Sequence, residues 1–374
     1  RKIFWRFKFL PSLNLMIKPV SSNCNMKCKY CFYHDLASNR ERASYGKMDE
    51  KLLELIVKKA FTKAEGSVSF SFQGGEPTLA GLDFYKIFMD YLGKYNKDNI
   101  DVNLALQTNG IKIDQKWAAF LSENDWLVGL SIDGYKDLHN YFRIDRNEEG
   151  TYKQVIKTSE LFKKCNVDFN VLTVITDQLA RHGKKVYNSY KKQNFKFLQF
   201  ICCLKPLDGK KEKYSLTPEN YELFLNNVFN EWYQDIKKGN YISIRFFDNI
   251  VRMLMGRKPE ACEMKGHCSF QNIIESDGSI YPCDFYVVDE WKLGNIKNMS
   301  FTEVYESKKS KAFIKESTDL PEKCEQCKWL KLCRNGCKRN RDENNLNNYC
   351  TSFYNFYDKN INKLLELKRI FMNN

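Results

Sequence analysis

Three cysteines within eight residues, Cys24, Cys28 and Cys31, are spaced CxxxCxxC, with Tyr30 directly before the last. Thiolates that close on one short loop converge on a single metal centre. Three of them cannot complete four irons, so a cubane held here keeps one iron open for a small molecule. The same loop admits two plainer readings: a three-Cys zinc site awaiting a distant fourth ligand, or buried thiols that are merely neighbours. Eight further cysteines lie late in the chain, at Cys262, Cys268, Cys283, Cys324, Cys327, Cys333, Cys337 and Cys350. Eight thiolates suffice for two fully ligated centres, and iron–sulfur clusters and four-Cys zinc ribbons satisfy that arithmetic equally. Cys165, Cys202 and Cys203 belong to no metal spacing and read as core thiols. His34, His139, His182 and His267 are scattered and form no zinc pattern.

The elements that must position these residues alternate along the chain. Apolar periodicity predicts strands at 13–18, 68–72, 102–107, 126–132, 167–175 and 197–201. Helical spacing falls between them at 48–64, 82–95, 114–123, 152–164 and 180–193, the first capped by Asp49. Such alternation implies right-handed β-α-β units and a parallel sheet, so the fold class is α/β. Six units are two short of a closed barrel and predict an open, partial (β/α)6 TIM-like barrel with a lateral mouth. Functional residues on such sheets collect at the carboxyl ends of strands. The first cysteine loop follows strand one, and Gly74-Gly75-Glu76-Pro77 follows strand two. Adjacent glycines let backbone carbonyls approach a ligand closely, which suits an ammonium. Ser131 and Asp133 end strand four, and Gln73, Gln107 and Asn109 also project from strand ends toward a substrate cavity. Residues 205–260 form a bridge carrying two helices, one from 218 through 233 and one at 247–255. Asp277-Gly278 reads as a hairpin turn leading to Cys283. The expected division is an N-terminal tail at 1–12, the barrel at 13–235, and a small cysteine-rich domain with a C-terminal helix at 236–374.

Composition excludes several classes. A hydrophobic content of 43% with 14% aromatics indicates a packed globular chain. No apolar run approaches the ~20 residues a membrane span needs. The basic, aromatic start at residues 1–10 has charges that break any signal-peptide core. Fourteen cysteines in tight metal-type spacings point to a reducing cytoplasm rather than to disulfides. The net charge of +14 invites a nucleic-acid reading. However, three cubanes on the eleven spaced thiolates would lower that figure by about 5 units, so no nucleic-acid partner is expected.

The CxxxCxxC loop with its aromatic residue resembles the signature of the radical S-adenosylmethionine (SAM) enzymes, in which the open iron chelates SAM. That resemblance implies that Gly74, Gly75 and Glu76 serve the amino group of SAM and that Ser131 serves its ribose. It also implies that Arg143 reaches the SAM carboxylate, with Leu204 and Tyr30 at the adenine. The late cysteines resemble the SPASM extension. Its ligand order implies one auxiliary [4Fe–4S] cluster on Cys262, Cys268, Cys283 and Cys337, and a second on Cys324, Cys327, Cys333 and Cys350. The total is three clusters. Lys323, Lys328, Lys331, Arg334, Lys338 and Arg339 surround these cysteines and read either as offsets to cluster charge or as an ordinary solvated face.

Four further segments sharpen the resemblance: Cys31-Phe32-Tyr33-His34, Leu106-Gln107-Thr108-Asn109-Gly110, Phe197-Leu198-Gln199-Phe200 and Tyr281-Pro282-Cys283-Asp284-Phe285-Tyr286. With the Gly-Gly-Glu-Pro run and Leu293-Gly294-Asn295-Ile296, they make the chain similar to the anaerobic sulfatase-maturating enzymes from about residue 13 to 350. What this implies is oxygen-independent oxidation of a sulfatase active-site Cys or Ser to Cα-formylglycine. A 5′-deoxyadenosyl radical would take hydrogen from Cβ, Asp284 would take the heteroatom proton, and the auxiliary clusters would receive the electron. A sulfatase polypeptide and a low-potential donor such as flavodoxin or ferredoxin are the implied partners. Two alternatives remain open on these residues. One is another SPASM-type peptide maturase, forming thioether or carbon crosslinks or epimers. The other is a zinc-ribbon, nucleic-acid-binding protein.

Overall fold

Residues 10–373 are described by the computed structural model, so most of the expected N-terminal tail lies outside the described residues. The first strand, β1, runs Leu10–Ile17, which places 10–12 in the sheet rather than in a tail. The other barrel strands are β2 (Ala64–Phe72), β3 (Asp101–Thr108), β4 (Leu127–Ser131), β5 (Phe169–Ile175) and β6 (Phe197–Cys202). All pair in parallel in chain order. The expected helices lie between them, at Glu50–Lys63, Leu82–Tyr95, Gln115–Glu123 and Tyr152–Lys164. Asp49 caps the first of these by accepting a hydrogen bond from the Leu52 amide at 2.7 Å. The helix expected at 180–193 is instead two helices, Asp177–Ala180 and Gly183–Lys192, joined through Arg181 and His182. The Thr176 hydroxyl caps the short one by accepting from the Leu179 amide at 3.2 Å, and the second starts at Gly183 without a side-chain cap.

The six-stranded barrel does not end at its first strand. Short strands β7 (Ser243–Ile244), β8 (Ile273–Ile274), β9 (Ser279–Tyr281) and β10 (Gly294–Asn295) extend it to a ten-stranded sheet, ordered β10-β9-β8-β1-β2-β3-β4-β5-β6-β7. β8 joins β1 in parallel, with Ile17 opposite Ile274, and turns back at Asp277-Gly278 into antiparallel β9. The cysteine-rich segment is therefore continuous with the barrel at the edge that carries the first cysteine loop. A final helix, Cys350–Asn373, packs along Pro218–Lys237.

The core explains the register. In β2 the inward residues Val68, Phe70 and Phe72 are fully buried while their neighbours alternate outward. The Phe72 ring packs 4.9 Å from Phe88, 5.1 Å from Tyr85 and 5.6 Å from Trp126, between centroids. Slipping β2 by one residue would expose this set and bury Ser67, Ser69 and Ser71. Because strand ends are held this firmly, the loops that leave them are aimed.

Candidate active site

The first cysteine loop is sewn by backbone hydrogen bonds to the turn after β2 and to the chain leaving the helix Lys136–Phe142. Gly75 N donates to Ser21 O at 3.0 Å, and Glu76 N donates to Asn23 O at 2.8 Å. On the other side, Lys27 N and Lys29 N donate to Ile144 O and Phe142 O at 2.8 and 3.0 Å. Arg146 closes on Cys24 O from both Nε and Nη2, at 3.0 and 2.6 Å. A β-carbon at Gly75 would run into the Asn23 carbonyl, so this close approach requires glycine. The Glu76 side chain, 1% exposed, turns inward. It accepts from Thr78 N, Thr78 Oγ1, Thr108 Oγ1 and Asn109 N at 2.6–3.1 Å. Any ligand contact from this motif therefore falls to its backbone, while the carboxylate braces β2 against β3.

Two buried carboxylates flank the loop. Asp133, after β4, accepts from the Tyr30 hydroxyl, from Arg143 Nε at 3.0 Å and from the Val174 amide at 3.1 Å. Its own amide donates to His139 Nδ1 at 3.2 Å, and burial holds that imidazole well below the usual histidine range, in its neutral form. Asp284, 4% exposed, follows β9 and faces the end of β1. It pairs with Lys18 Nζ at 2.9 Å and accepts from the Tyr33 hydroxyl at 2.5 Å and from Gln73 Nε2 at 3.1 Å. Lys18 also lies 4.4 Å from the centre of the Tyr33 ring. Phe285 packs edge-on against Phe32 at 5.2 Å, which docks the Asp284 turn onto the helix Phe32–Ser38. Desolvation, reinforced by the Asp284 charge, pushes the Tyr33 phenol well above its ordinary range, so it stays a donor.

The residues singled out from the sequence are distributed as follows. Ser131 is buried and accepts from Gln107 Nε2 at 3.0 Å. Arg143 is buried beside the loop, and its charge opposes the upward push on all three thiols. Leu204 is half-buried two residues beyond β6. Asn109 Nδ2 donates to Asn25 Oδ1 at 2.9 Å and reaches 3.9 Å from Cys24 Sγ. Local pattern does not mark Lys18 or Tyr33 as functional; the one available signal is a lysine at the carboxyl end of β1, on the rim where functional groups gather.

The thiols suit clusters. Burial pushes Cys24 and Cys28 up to about 12, and neighbouring thiol charge adds to both. A bound cationic centre reverses that penalty, because thiolates are the liganding form. The late cysteines fall into two spatial groups. The charges of Cys268 and Cys262 raise Cys337, and those of Cys337 and Cys268 raise Cys283. Separately, those of Cys350, Cys324 and Cys327 raise Cys333. Cys337 thus sits with residues far from it in sequence rather than with Cys333. A cavity of about 640 Å³ lies away from the strand ends, between Met253, Leu320, Trp329 and Ile361.

Comparison with known proteins places the fold and the family. The Radical SAM superfamily matches residues 19–185, and the iron–sulfur cluster-binding domain SPASM matches 262–328. A cysteine-type anaerobic sulfatase-maturating enzyme of Clostridium novyi (strain NT) is 47% identical over 362 residues, covering 95% of this chain and 97% of that one. A serine-type enzyme of Bacteroides thetaiotaomicron is 30% identical, covering 93% of this chain and 89% of that one. A solved structure, native anSMEcpe with bound AdoMet and Kp18Cys peptide, superposes with a TM-score of 0.92 at 48% identity. It covers 96% of this chain and 99% of that one. With two of its carboxylates and its three thiol groups gathered as described, the chain belongs to the anaerobic sulfatase-maturating enzymes, protein-modifying radical SAM enzymes with a SPASM domain that use SAM and [4Fe–4S] clusters.

Proposed function

We propose that this chain oxidises an active-site cysteine of a sulfatase to Cα-formylglycine without oxygen, in a reducing compartment and with electrons from a flavodoxin- or ferredoxin-type donor. Cysteine is favoured over serine by the higher identity to the cysteine-type relative, 47% against 30%. Cys24, Cys28 and Cys31 would hold the cluster that binds SAM, and the two late groups of four would hold the auxiliary clusters. When bound, these groups supply a 5′-deoxyadenosyl radical that takes hydrogen from the substrate Cβ, and a sink for the remaining electron.

The chain's own residues then have defined tasks. The backbone of Gly74 and Gly75, Ser131, Arg143, Leu204 and Tyr30 orient SAM by its amino group, ribose, carboxylate and adenine. Asp284 takes the proton from the target thiol as the carbon–sulfur double bond forms. Hydrolysis of that bond releases sulfide and leaves the aldehyde. Tyr33, Gln73 and Lys18 aim the carboxylate, because each contacts it directly. The observation that carries this reading is the position of Asp284, which β8 pairing on β1 delivers to the rim of the first cysteine loop.

Mass spectrometry tests it. After anaerobic incubation with SAM and reductant, a sulfatase peptide bearing Cys should lose CH2SH and gain CHO, and the Ser counterpart should react more slowly. Crosslinked or epimerised peptide in place of aldehyde would replace this proposal with another SPASM-type activity.

A further inference from the structure

The basic residues around the late cysteines are not equivalent. Lys323 and Lys331 are exposed, Lys328 pairs with Asp358 in solvent, and Arg339 Nη2 donates to the Lys205 carbonyl at 2.7 Å. Arg341 is committed to the carbonyls of Ser317 and Gly336 and to Asn345. Lys338, next to Cys337, is held differently. Its ammonium lies 4.5 Å from the ring centre of Phe313, 4.7 Å from Trp291 and 5.2 Å from Tyr286. The three rings meet nearly at right angles, with centroids 5.0–6.2 Å apart, and so form a box rather than a stack. Glu316 Oε2 accepts from the ammonium at 2.6 Å. The lysine side chain is 15% exposed, and the glutamate 51%.

The walls of this box are tied to one cysteine group. Tyr286 ends the short turn that begins at Asp284, directly after Cys283. Phe313 lies on the helix Lys308–Thr318, whose Ser317 hydroxyl accepts from the Cys268 amide at 2.8 Å. Three aromatic faces favour a cation at this point and exclude an anion. Glu316, being half in solvent, screens that charge only partly.

We infer that Lys338 is a positioning residue that fixes one positive charge beside the Cys262, Cys268, Cys283 and Cys337 centre and raises its reduction potential. This rests on the reading that the centre is the electron sink of the proposed reaction. There the substrate gives one hydrogen atom from Cβ to the deoxyadenosyl radical, one proton from its thiol to Asp284 and one electron to this centre, leaving C=S. A four-thiolate centre becomes more negative by one unit on reduction, so a fixed cation beside it stabilises the reduced form. The base and the sink then share one turn of chain, Cys283–Tyr286.

The test is a redox titration followed by electron paramagnetic resonance, on full-length reconstituted protein with Cys24, Cys28 and Cys31 replaced by Ala. Only the auxiliary centres report in that background. Lys338→Met should lower the reduced-to-oxidised ratio of one centre about tenfold at the parent midpoint, equivalent to a 59 mV fall for a one-electron couple. The other centre should not move, and Lys338→Arg should restore the first. Glu316→Gln should shift the same midpoint upward, which keeps the test alive if Lys338→Met fails to incorporate iron. An unmoved midpoint in both variants, or equal movement of both centres, would show that Lys338 merely ties the Cys337 turn to its neighbours. Because neither SAM nor substrate is present, failure of the proposed reaction itself would leave this shift in place.

Discussion

Asp133 and Asp284 are built from nearly the same parts. Each is a buried carboxylate, each receives a phenol from the first cysteine segment, Tyr30 or Tyr33, and each pairs with one cation, Arg143 or Lys18. They differ in the remaining partner. Asp133 is also bonded to a backbone amide of β5, at Val174, and so belongs to the frame of the barrel. Among the described residues, the Asp284 carboxylate meets only side chains, from Lys18, Tyr33 and Gln73, and it enters from the cysteine-rich segment. A carboxylate tied to backbone is a strut. One held by side chains can exchange a donor for a substrate proton without unpicking the sheet. Residue type and burial do not separate the two roles; the partners do.

Substitutions on either side sharpen that contrast. The largest effect is expected upstream of both aspartates. Cys28→Ala should abolish deoxyadenosine formation while iron analysis still shows two clusters, since the late cysteines do not depend on this loop; surviving deoxyadenosine would refute the first-loop site. For Asp133→Asn, loss of one partner of a buried pair costs about 3–5 kcal/mol. Chemical denaturation should therefore show a stability loss of that order, together with weaker SAM binding as Arg143 loses its anchor. An unchanged denaturation midpoint would mean that Asp133 is not a strut. Smaller again is Tyr33→Phe, which removes one hydrogen bond to Asp284 and leaves the ring beside Lys18. Formylglycine should fall about tenfold with deoxyadenosine unchanged. A matching fall in both products would place Tyr33 in radical generation instead. Finally, Cys337→Ala and Cys262→Ala should alter one auxiliary spectrum and Cys333→Ala the other. Grouping of Cys337 with Cys333 would break the spatial division of the late cysteines.

Much of the barrel was legible because long periodic segments carry their own signal. The helix Tyr152–Lys164 has the boundaries its apolar spacing predicts, and β2 buries the phenylalanines that alternation picked out. The cysteine loop and the glycines after β2 were legible for a different reason, since their chemistry demands particular residues at particular spacings. What escaped was set by contacts distant in sequence. A two-residue strand such as β8 has no period to read, yet its pairing with β1 delivers Asp284 to Lys18. The cage around Lys338 joins residues 286, 291, 313 and 338, and without the fold that lysine reads as one more solvated charge. Tyr33 passed as part of a motif because nothing local distinguishes a donor to a distant carboxylate from a core aromatic.

The most direct test of the two roles is the yield of formylglycine per deoxyadenosine, measured side by side for Asp284→Asn and Asp133→Asn with a Cys-containing sulfatase peptide. Hydrogen abstraction needs the radical and a positioned Cβ, whereas forming C=S also needs a base, which contributes about 10²–10⁴-fold. Asp284→Asn should leave deoxyadenosine near normal and cut the ratio at least about a hundredfold. Asp133→Asn should lower both products together and leave the ratio intact. An unchanged ratio in Asp284→Asn, or a collapsed ratio in Asp133→Asn, would contradict the assignment of base and strut.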